Sequence, residues 1–393
     1  MEILNENPYT DNLKFYDKFC RLIDKKTPFI LTSNTENTKS IKDLIKATKK
    51  IKIKYDYILA TSGTTGSPKY VFSDITRNEK LCQLINEKQH LKACKSSIVL
   101  LPISYSYPFV NQFLMGYFHN INLLYHDHYK GLSQLKMQLM ESENVMLCLT
   151  NAYVKILKPL LHSEDTFPNV KTINFAGGPF PNNEFELLKQ KFPEANIYNN
   201  YGCTEALPRL AIKAVNKSSD SESFDLNLNG INIRCDRENR VVFKSAYECV
   251  GIYCDGNFVD TSEEKYLRTG DYGQIKNGKL FLSGRIPGFL NRYGNKIDMI
   301  KLSKNLRSIF EDYFIIEVGK DEDGEDYYNL YLSEELNYDV KDKLFELLKN
   351  HLRKFEWPIE VVSVRKIKYN ANGKKSLSLT KSGRIDKIWK QRV

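Results

Sequence analysis

At 393 residues, with 41% hydrophobic and 27% charged positions, the chain is long enough for two domains, and wholesale disorder, collagen-like repeats and disulfide-dense scaffolds are excluded. No apolar run approaches the roughly eighteen residues of a membrane helix, and residues 1–8 show no basic stretch before an apolar core, so the sequence predicts a cytoplasmic protein with no membrane span. The net charge of +10 suits attraction of phosphates, docking of an acidic partner, or solubility alone; the basic runs 49–54 and 365–368 alternate with aliphatic residues, as half-exposed strands do, and argue against nucleic-acid binding.

Residues 9–48 combine helical spacing (Leu13, Phe15, Tyr16, Phe19, Leu22, Ile23) with a short strand over 29–31. The pattern then predicts a helix over 74–91, a strand over 97–101 that stops at Pro102, and a helix over 109–117. Strands over 122–125, 145–149, 170–175 and 196–198, with helices over 132–142 and 151–158, continue a βα alternation, the sign of a mostly parallel sheet covered on both faces. His126-Asp127-His128 has two imidazoles at metal-binding spacing but no third ligand in view, and reads as a solvated loop. The eight cysteines include no Cys-x-x-Cys pair and read as reduced thiols, which argues against zinc. After Pro208, short segments punctuated by Gly230, Gly251, Gly256, Gly270, Gly278 and Gly284 predict a β-rich subdomain, with 216–223 a surface loop. Helices over 302–313 and 340–354 between strands over 314–318, 328–332 and 359–364 form a small α+β unit. The expected fold class is α/β: a large domain over 1–285 with mostly parallel sheets and a β-rich subdomain, then a small α+β domain over 286–393.

Chemistry enters at Thr61-Ser62-Gly63-Thr64-Thr65-Gly66-Ser67-Pro68-Lys69, which follows the buried strand end Tyr57-Ile58-Leu59-Ala60. Hydroxyls, two glycines that let backbone N–H groups face an anion, and one lysine make a loop suited to polyphosphate, and point to ATP. It is not a Walker A loop: Pro68 stands where the second glycine would fall, and neither Ser nor Thr follows Lys69. Ala176-Gly177-Gly178-Pro179 closes a strand with glycines that permit a flat ligand to approach the backbone. Asn199-Asn200-Tyr201-Gly202-Cys203-Thr204-Glu205 offers an aromatic to stack on a base, a glycine for clearance, a hydroxyl for the α-phosphate and a carboxylate for Mg²⁺. Asp271, just beyond Gly270, can accept from both hydroxyls of a ribose.

In type, order and rough spacing, from residue 61 to residue 374, these motifs resemble the adenylate-forming superfamily of acyl-CoA synthetases, adenylation domains and firefly luciferase. The Tyr201-Gly202-x-Thr204-Glu205 run matches that family's motif at every fixed position. The resemblance implies an AMP-forming acid–thiol ligase that uses ATP and Mg²⁺: a carboxylate attacks the α-phosphate, and the acyl group then passes to the thiol of CoA or of a carrier protein's phosphopantetheine. It implies that Thr61, Ser62, Gly63, Thr64, Thr65, Gly66 and Lys69 hold the phosphates, and that Gly177, Gly178, Pro179, Asn200, Tyr201 and Gly202 lie at the adenine and ribose with Asp271 and Arg285. Thr204 would meet the α-phosphate and Glu205 the metal. Lys374, in Asn370-Ala371-Asn372-Gly373-Lys374, would close over the reacting centre from a mobile C-terminal domain. Tyr105, in Leu101-Pro102-Ile103-Ser104-Tyr105, would gate an acyl pocket shared with Phe175, and Tyr293, Gly294 and Asn295 would line the acceptor's approach.

Two departures from the family stand out. Only sixty residues precede Thr61, which implies a shortened first subdomain with 9–48 as its remnant. Pro287 occupies the usual swivel position, so the hinge is expected to pivot at Gly288. Residues 101–118 hold no Asp or Glu, where amino-acid-activating relatives place the partner of the α-amino group. The expected substrate is therefore a small fatty, aryl or other non-amino carboxylic acid, since a buried ammonium would go unpaired. A stand-alone adenylating enzyme that loads a carrier protein and a non-catalytic nucleotide-binding homologue are the competing readings; Glu205 together with Lys374 argues against the latter. An oligomer is compatible with all three.

Overall fold

The computed structural model describes residues 1–6, 12–33, 38–61, 69–126, 131–178, 180–217, 223–284, 289–292, 295–321, 325–336, 343–369 and 375–390. The chain divides into two compact units, Met1–Arg234 with Val242–Thr269 and Asn277–Leu280, and Cys235–Val241 with Gly270–Lys276 and Phe281–Val393. Among the described residues no helix is long and apolar enough to cross a membrane.

The first unit opens with strands β1 (Glu2–Glu6), β2 (Phe29–Ser33), β3 (Tyr57–Thr61) and β4 (Lys69–Ser73). The first three run parallel, and β4 returns antiparallel to β3. Helix α1 (Asn12–Asp24) places Phe19 edge-on against Phe29, Phe109, Phe113 and Tyr117, with centroids 4.7–6.1 Å apart. Such edge-to-face clusters add to the burial energy of the rings. The segment read as a remnant, 9–48, thus supplies one strand, β2, and, with α2 (Thr38–Thr48), two helices to this layer, and β1 precedes it. The alternating run 49–54 is not a strand. Ile51 and Ile53 do pack against the cluster that contains Ile58 and Phe72 while Lys52 and Lys54 are exposed, but β3 already has β2 and β4 on its two edges, so the run finds no ladder partner there.

A second sheet has the order β10-β9-β8-β7-β5-β6, with β5 (Ser96–Val99), β6 (Asn122–Tyr125), β7 (Val145–Leu149), β8 (Val170–Phe175) and β9 (Asn196–Tyr201) parallel and β10 (Ala211–Ala214) antiparallel at the edge. Every residue of β7 is buried, as a continuous apolar run covered on both faces requires. Helix α3 (Ile75–Gln89) starts at Asp74, whose side chain accepts from Arg77 N at 3.1 Å. Helical residues 106–119 include a π-helical stretch, Phe109–Leu114, and α4 (Gly131–Glu141) and α5 (Asn151–Leu161) follow. α5 runs past the residue 158 boundary to Leu161 despite Pro159, which lacks an N–H but leaves the bond from His162 N to Lys158 O at 3.0 Å in place. β9 extends to Tyr201, not to 198: β10 pairs with Tyr198 through Tyr201 and supplies the ladder that two asparagines would not favour by themselves.

The β-rich segment contains β11 (Phe224–Asp225), β12 (Ile231–Cys235), β13 (Arg240–Ser245), β14 (Gly251–Cys254), β15 (Asn257–Asp260), β16 (Leu267–Lys276) and β17 (Lys279–Gly284). β14 and β15 join the first sheet through β4, so that sheet is parallel in its first half and antiparallel in its second.

The C-terminal segment holds the hairpin β18 (Phe289–Arg292) and β19 (Asn295–Asp298), then helix Met299–Phe310. A four-stranded sheet follows, of β20 (Phe314–Lys320), β21 (Asp326–Ser333), β22 (Glu360–Val364) and β23 (Arg384–Lys390). Leu302, Leu306, Phe310, Tyr328, Leu330, Leu348 and Val361 form its core. The helix expected over 302–313 begins and ends three residues earlier; Glu311 takes φ 49° and terminates it. Residues 365–368 are not a strand either. β22 stops at Val364, Arg365 N bonds to Gly383 O and Lys368 N to Thr380 Oγ1, so the run folds over the short helix Leu377–Lys381.

Candidate active site

β3 and β4 are antiparallel neighbours with Thr61 opposite Lys69, so the intervening loop leaves and returns at one point with Lys69 at its foot. Ser62, Gly63, Thr64, Thr65 and Gly66 lie outside the described residues. Lys69 Nζ donates to Glu205 Oε1 at 2.5 Å, joining this loop's base to a motif 136 residues away. Glu205 is 8% exposed. It sits on the 3-10 turn Thr204–Ala206 directly after β9, and its carbonyl accepts from Cys249 N at 2.9 Å. Burial works against the Lys69 charge, but the Glu205 carboxylate outweighs it and holds the ammonium above its ordinary pKa.

The turn that aims Glu205 depends on Gly202. A Cβ there would stand 1.7 Å from Pro208 O, a backbone atom that cannot swing away. Thr204 Oγ1 and Ser106 Oγ, at the start of helical residues 106–119, are 3.0 Å apart. Tyr201 is buried with its ring 5.6 Å from Phe224. Asn200 turns inward, where its amide donates to Asn174 Oδ1 at 2.9 Å while Gln89 Nε2 donates to Asn174 Oδ1 at 2.8 Å and to Asn200 Oδ1 at 3.0 Å. This amide triangle ties α3, β8 and β9 together at the strand ends.

Gly177 has φ +83°, a conformation that side chains resist, and beside Gly178 there is open space where a Cβ would point. Pro179 lies outside the described residues. Phe175 is buried edge-on against Phe180 at 5.1 Å, and half-buried Tyr105 precedes the helical residues with its N–H on Pro102 O. Asp271 is half-buried on β16 in the other unit, after Gly270 with φ +81°. Arg285, Pro287, Gly288, Tyr293, Gly294 and Lys374 lie outside the described residues. His126 is not solvated: its N–H continues the β6 ladder onto Val99 O, and its buried ring places Nδ1 3.3 Å from Gln138 Oε1.

Several polar side chains beside these motifs escape a motif reading. Tyr107 OH donates to Asn174 O at 2.7 Å, Gln89 closes the triangle, and fully buried Arg209 donates through Nη2 to Asn111 Oδ1. Only Arg209 has a signal in the sequence, as a lone charge within the apolar run 206–212. The donor set suits a hard divalent cation. One buried carboxylate, Glu205, next to a hydroxyl, Thr204, fits Mg²⁺, which takes one or two protein oxygens and fills its other positions with phosphate and water.

The family model described as "AMP-binding enzyme" matches residues 25–240. The D-alanine--D-alanyl carrier protein ligase of Bacillus anthracis (strain A0248) is 24% identical over 366 residues, covering 84% of this chain and 69% of the relative. The ligase of the same description from Bacillus cytotoxicus is 25% identical over 246 residues, 57% of this chain, which spans about half (48%) of that relative's length. Among solved structures, o-succinylbenzoate CoA synthetase (MenE) from Bacillus subtilis in complex with its acyl-adenylate intermediate superposes with TM-score 0.71 at 16% identity, covering 96% of this chain and 87% of that one. ATP-bound MatB from Rhodopseudomonas palustris gives TM-score 0.69 at 13% identity, covering 97% and 88%. At these identities the structural likeness is one of fold, mixed α/β throughout.

Proposed function

Because the chain belongs to the AMP-binding enzyme family, we propose that it activates a carboxylic acid with ATP as an acyl-adenylate and transfers the acyl group to a thiol. The observation that carries the reading is the Lys69–Glu205 contact, which brings the base of the glycine-rich loop to the Tyr201-Gly202-Cys203-Thr204-Glu205 turn. A cation for the β- and γ-phosphates and a carboxylate for a phosphate-bound metal are needed side by side in such a reaction, and an unrelated loop pair would have no reason to meet there.

In this reading the acid's carboxylate oxygen bonds to the α-phosphorus as the bond to the bridging oxygen breaks and pyrophosphate leaves. The acid is already ionised at neutral pH and needs no general base. Mg²⁺, when bound, neutralises charge on the phosphate oxygens. Thr204 donates to an α-phosphate oxygen, Lys69 exchanges Glu205 for the β- and γ-phosphates, and Glu205 is thereby freed for the metal. Gly177, Gly178 and Pro179, with Asn200, Tyr201 and Gly202, are assigned to the adenine side, Asp271 and Arg285 to the ribose, and Thr61 through Gly66 to the phosphates. Tyr105 and Phe175 are assigned to the acyl side. Lys374 is assigned to the reacting oxygens from a C-terminal domain that begins near residue 286, with Gly288 beside Pro287 as the pivot.

The acid is proposed to be non-amino, since residues 101–118 offer no carboxylate to an ammonium. CoA is the proposed acceptor; a carrier protein is the second reading, favoured by the alignment with carrier protein ligases over 84% of the chain. Pyrophosphate exchange over acids of varied length and aromaticity, with D-alanine among them, tests the adenylation step. Thioester formation with CoA and with a phosphopantetheinylated carrier then separates the acceptors. Lys374→Ala is expected to abolish exchange while leaving ATP binding largely intact, and equal loss of both would remove Lys374 from its role.

A further inference from the structure

The catalytic reading leaves a fully buried charge beside the Thr204–Glu205 turn unused. Arg209 is 1% exposed and heads the fully buried side chains by volume. Its backbone is pinned beside the Thr204–Glu205 turn: its N–H bonds to Ala206 O at 3.2 Å, Leu210 N bonds to Tyr201 O at 2.8 Å, and its Cα lies 3.1 Å from where a Cβ on Gly202 would stand. A guanidinium carries five N–H donors. Among the described residues Nη2 donates to Asn111 Oδ1, Nε has no partner, and no carboxylate pairs with the group. Asn111 is oriented for this contact, because its own amide donates to Tyr107 O at 2.8 Å and so turns Oδ1 toward the guanidinium.

Among the described residues the surroundings supply no counter-charge. Burial pushes the neighbouring Tyr107 hydroxyl and the Cys82 and Cys148 thiols up, the last to about 12, so they are neutral at pH 7. Burial also lowers Arg209 to about 10, which leaves it protonated. A cation held this deep by one neutral amide is costly unless an anion completes it. The same helical residues 106–119 connect it to the reacting end: Ser106 meets Thr204 and Asn111 meets Arg209, five residues and about 7 Å further along the axis.

We propose that Arg209, oriented by Asn111, is the counter-charge for a second anionic group on the acid, remote from the carboxylate that is adenylated, so that the substrate class is dicarboxylates or other acids with a distal acidic group. The proposal rests on the acyl-adenylate reading above and narrows its substrate.

Pyrophosphate exchange with glutarate, adipate and phthalate, each beside its monoamide, tests it on the unmodified protein. The diacids should exceed their monoamides by roughly 100-fold in kcat/KM, mainly through KM. R209Q should bring the diacids down to the monoamide level, and R209K should restore part of the difference. Monoamides used as well as diacids by the unmodified protein overturn the proposal without touching adenylation. Equal loss on every acid in R209Q overturns it in favour of a role for Arg209 in the fold or at the reacting carboxylate. If R209Q does not fold, the diacid-to-monoamide ratio of the unmodified protein decides. Absence of exchange with every acid overturns the acyl-adenylate reading, and overturns the anion site as well unless the diacids still raise the Tm of the unmodified protein and not that of R209Q.

Discussion

The interior at the ends of β8 and β9 and the interior of the C-terminal sheet both bury polar groups, and they differ in how many charged and amide groups are left open. In the first, Gln89, Asn174, Asn200, Glu205 and Arg209 are all buried, and among the described residues Gln89 Oε1 and Arg209 Nε lack partners. In the second, Tyr328 OH donates to Glu356 O at 2.6 Å, Arg292 Nη1 to Trp357 O at 2.7 Å, and Arg353 Nη2 to Glu356 Oε1 at 2.8 Å. These three C-terminal contacts are closed by backbone and by one another, while on β21 Asn329 Oδ1 is buried without a partner among the described residues. Those of the first region keep bonding capacity in reserve, which costs stability unless a ligand uses it. Polar burial that is closed serves architecture, and the open groups beside Glu205 and Arg209 are where the proposed substrate chemistry would use them.

The sharpest way to break this comparison is a matched pair of glycine substitutions. Gly202→Ala should cost about 3–5 kcal/mol in urea unfolding, because its Cβ meets Pro208 O and the turn must move. Gly319→Ala, on β20, should cost only about 1 kcal/mol, since the atoms it meets at 2.7 Å belong to the Tyr327 ring, which can shift. Similar costs at both positions would mean that the turn before Glu205 is no more constrained than an ordinary strand.

Glu205→Gln separates function from stability in the first region. It should lower the exchange rate roughly 100-fold and raise the Mg²⁺ requirement, yet change stability by less than about 1 kcal/mol, because Lys69 is 34% exposed at its side chain and can reach water. Full activity at saturating Mg²⁺ would take Glu205 out of the site.

Smaller effects sharpen the contrast between open and closed networks. Asn174→Ala removes an oxygen that accepts from both Gln89 and Asn200 and should cost about 2 kcal/mol. Tyr328→Phe removes a single donor and leaves its ring in place, and should cost about 1 kcal/mol. The reverse order in denaturant midpoints would contradict the contrast.

The smallest expected effect is a pH dependence confined to the C-terminal sheet. Burial works against the Glu317 charge, but hydrogen bonds from Lys381 and Tyr331 outweigh it and hold the carboxyl below its ordinary 4.5. A carboxyl lowered in the folded state adds stability that is complete above the unfolded value and fades as pH falls through the folded one. Lys381 is 43% exposed at its side chain, so Lys381→Met should lose less than about 1 kcal/mol at neutral pH and nothing once Glu317 is protonated. A loss that grows as the pH is lowered would reverse the assigned sign.

The α/β class and most of the elements were legible in the chain by itself, because periodicity and turn chemistry are local: Asp74 caps α3 where the pattern predicts a helix start, and β7 is as apolar as a strand buried on both faces must be. The Thr-Ser-Gly and Tyr-Gly-x-Thr-Glu motifs stand out for the same reason, since glycine and hydroxyl placement is local and carries the phosphate-facing role proposed for them. Partnership was not. Only the tertiary fold decided that Lys69 meets Glu205, that β10 draws Asn199 and Asn200 into a ladder, that Ile51 and Ile53 are packed yet unpaired, and that Arg384–Lys390 becomes a strand against β22. Each depends on which strand edge or side chain, far away in sequence, is still free to bond. Arg209 lies between the two cases: a lone charge in an apolar run announces a buried cation, but its neutral partner, Asn111, comes from a helix 98 residues away, and nothing local to either residue specifies that contact.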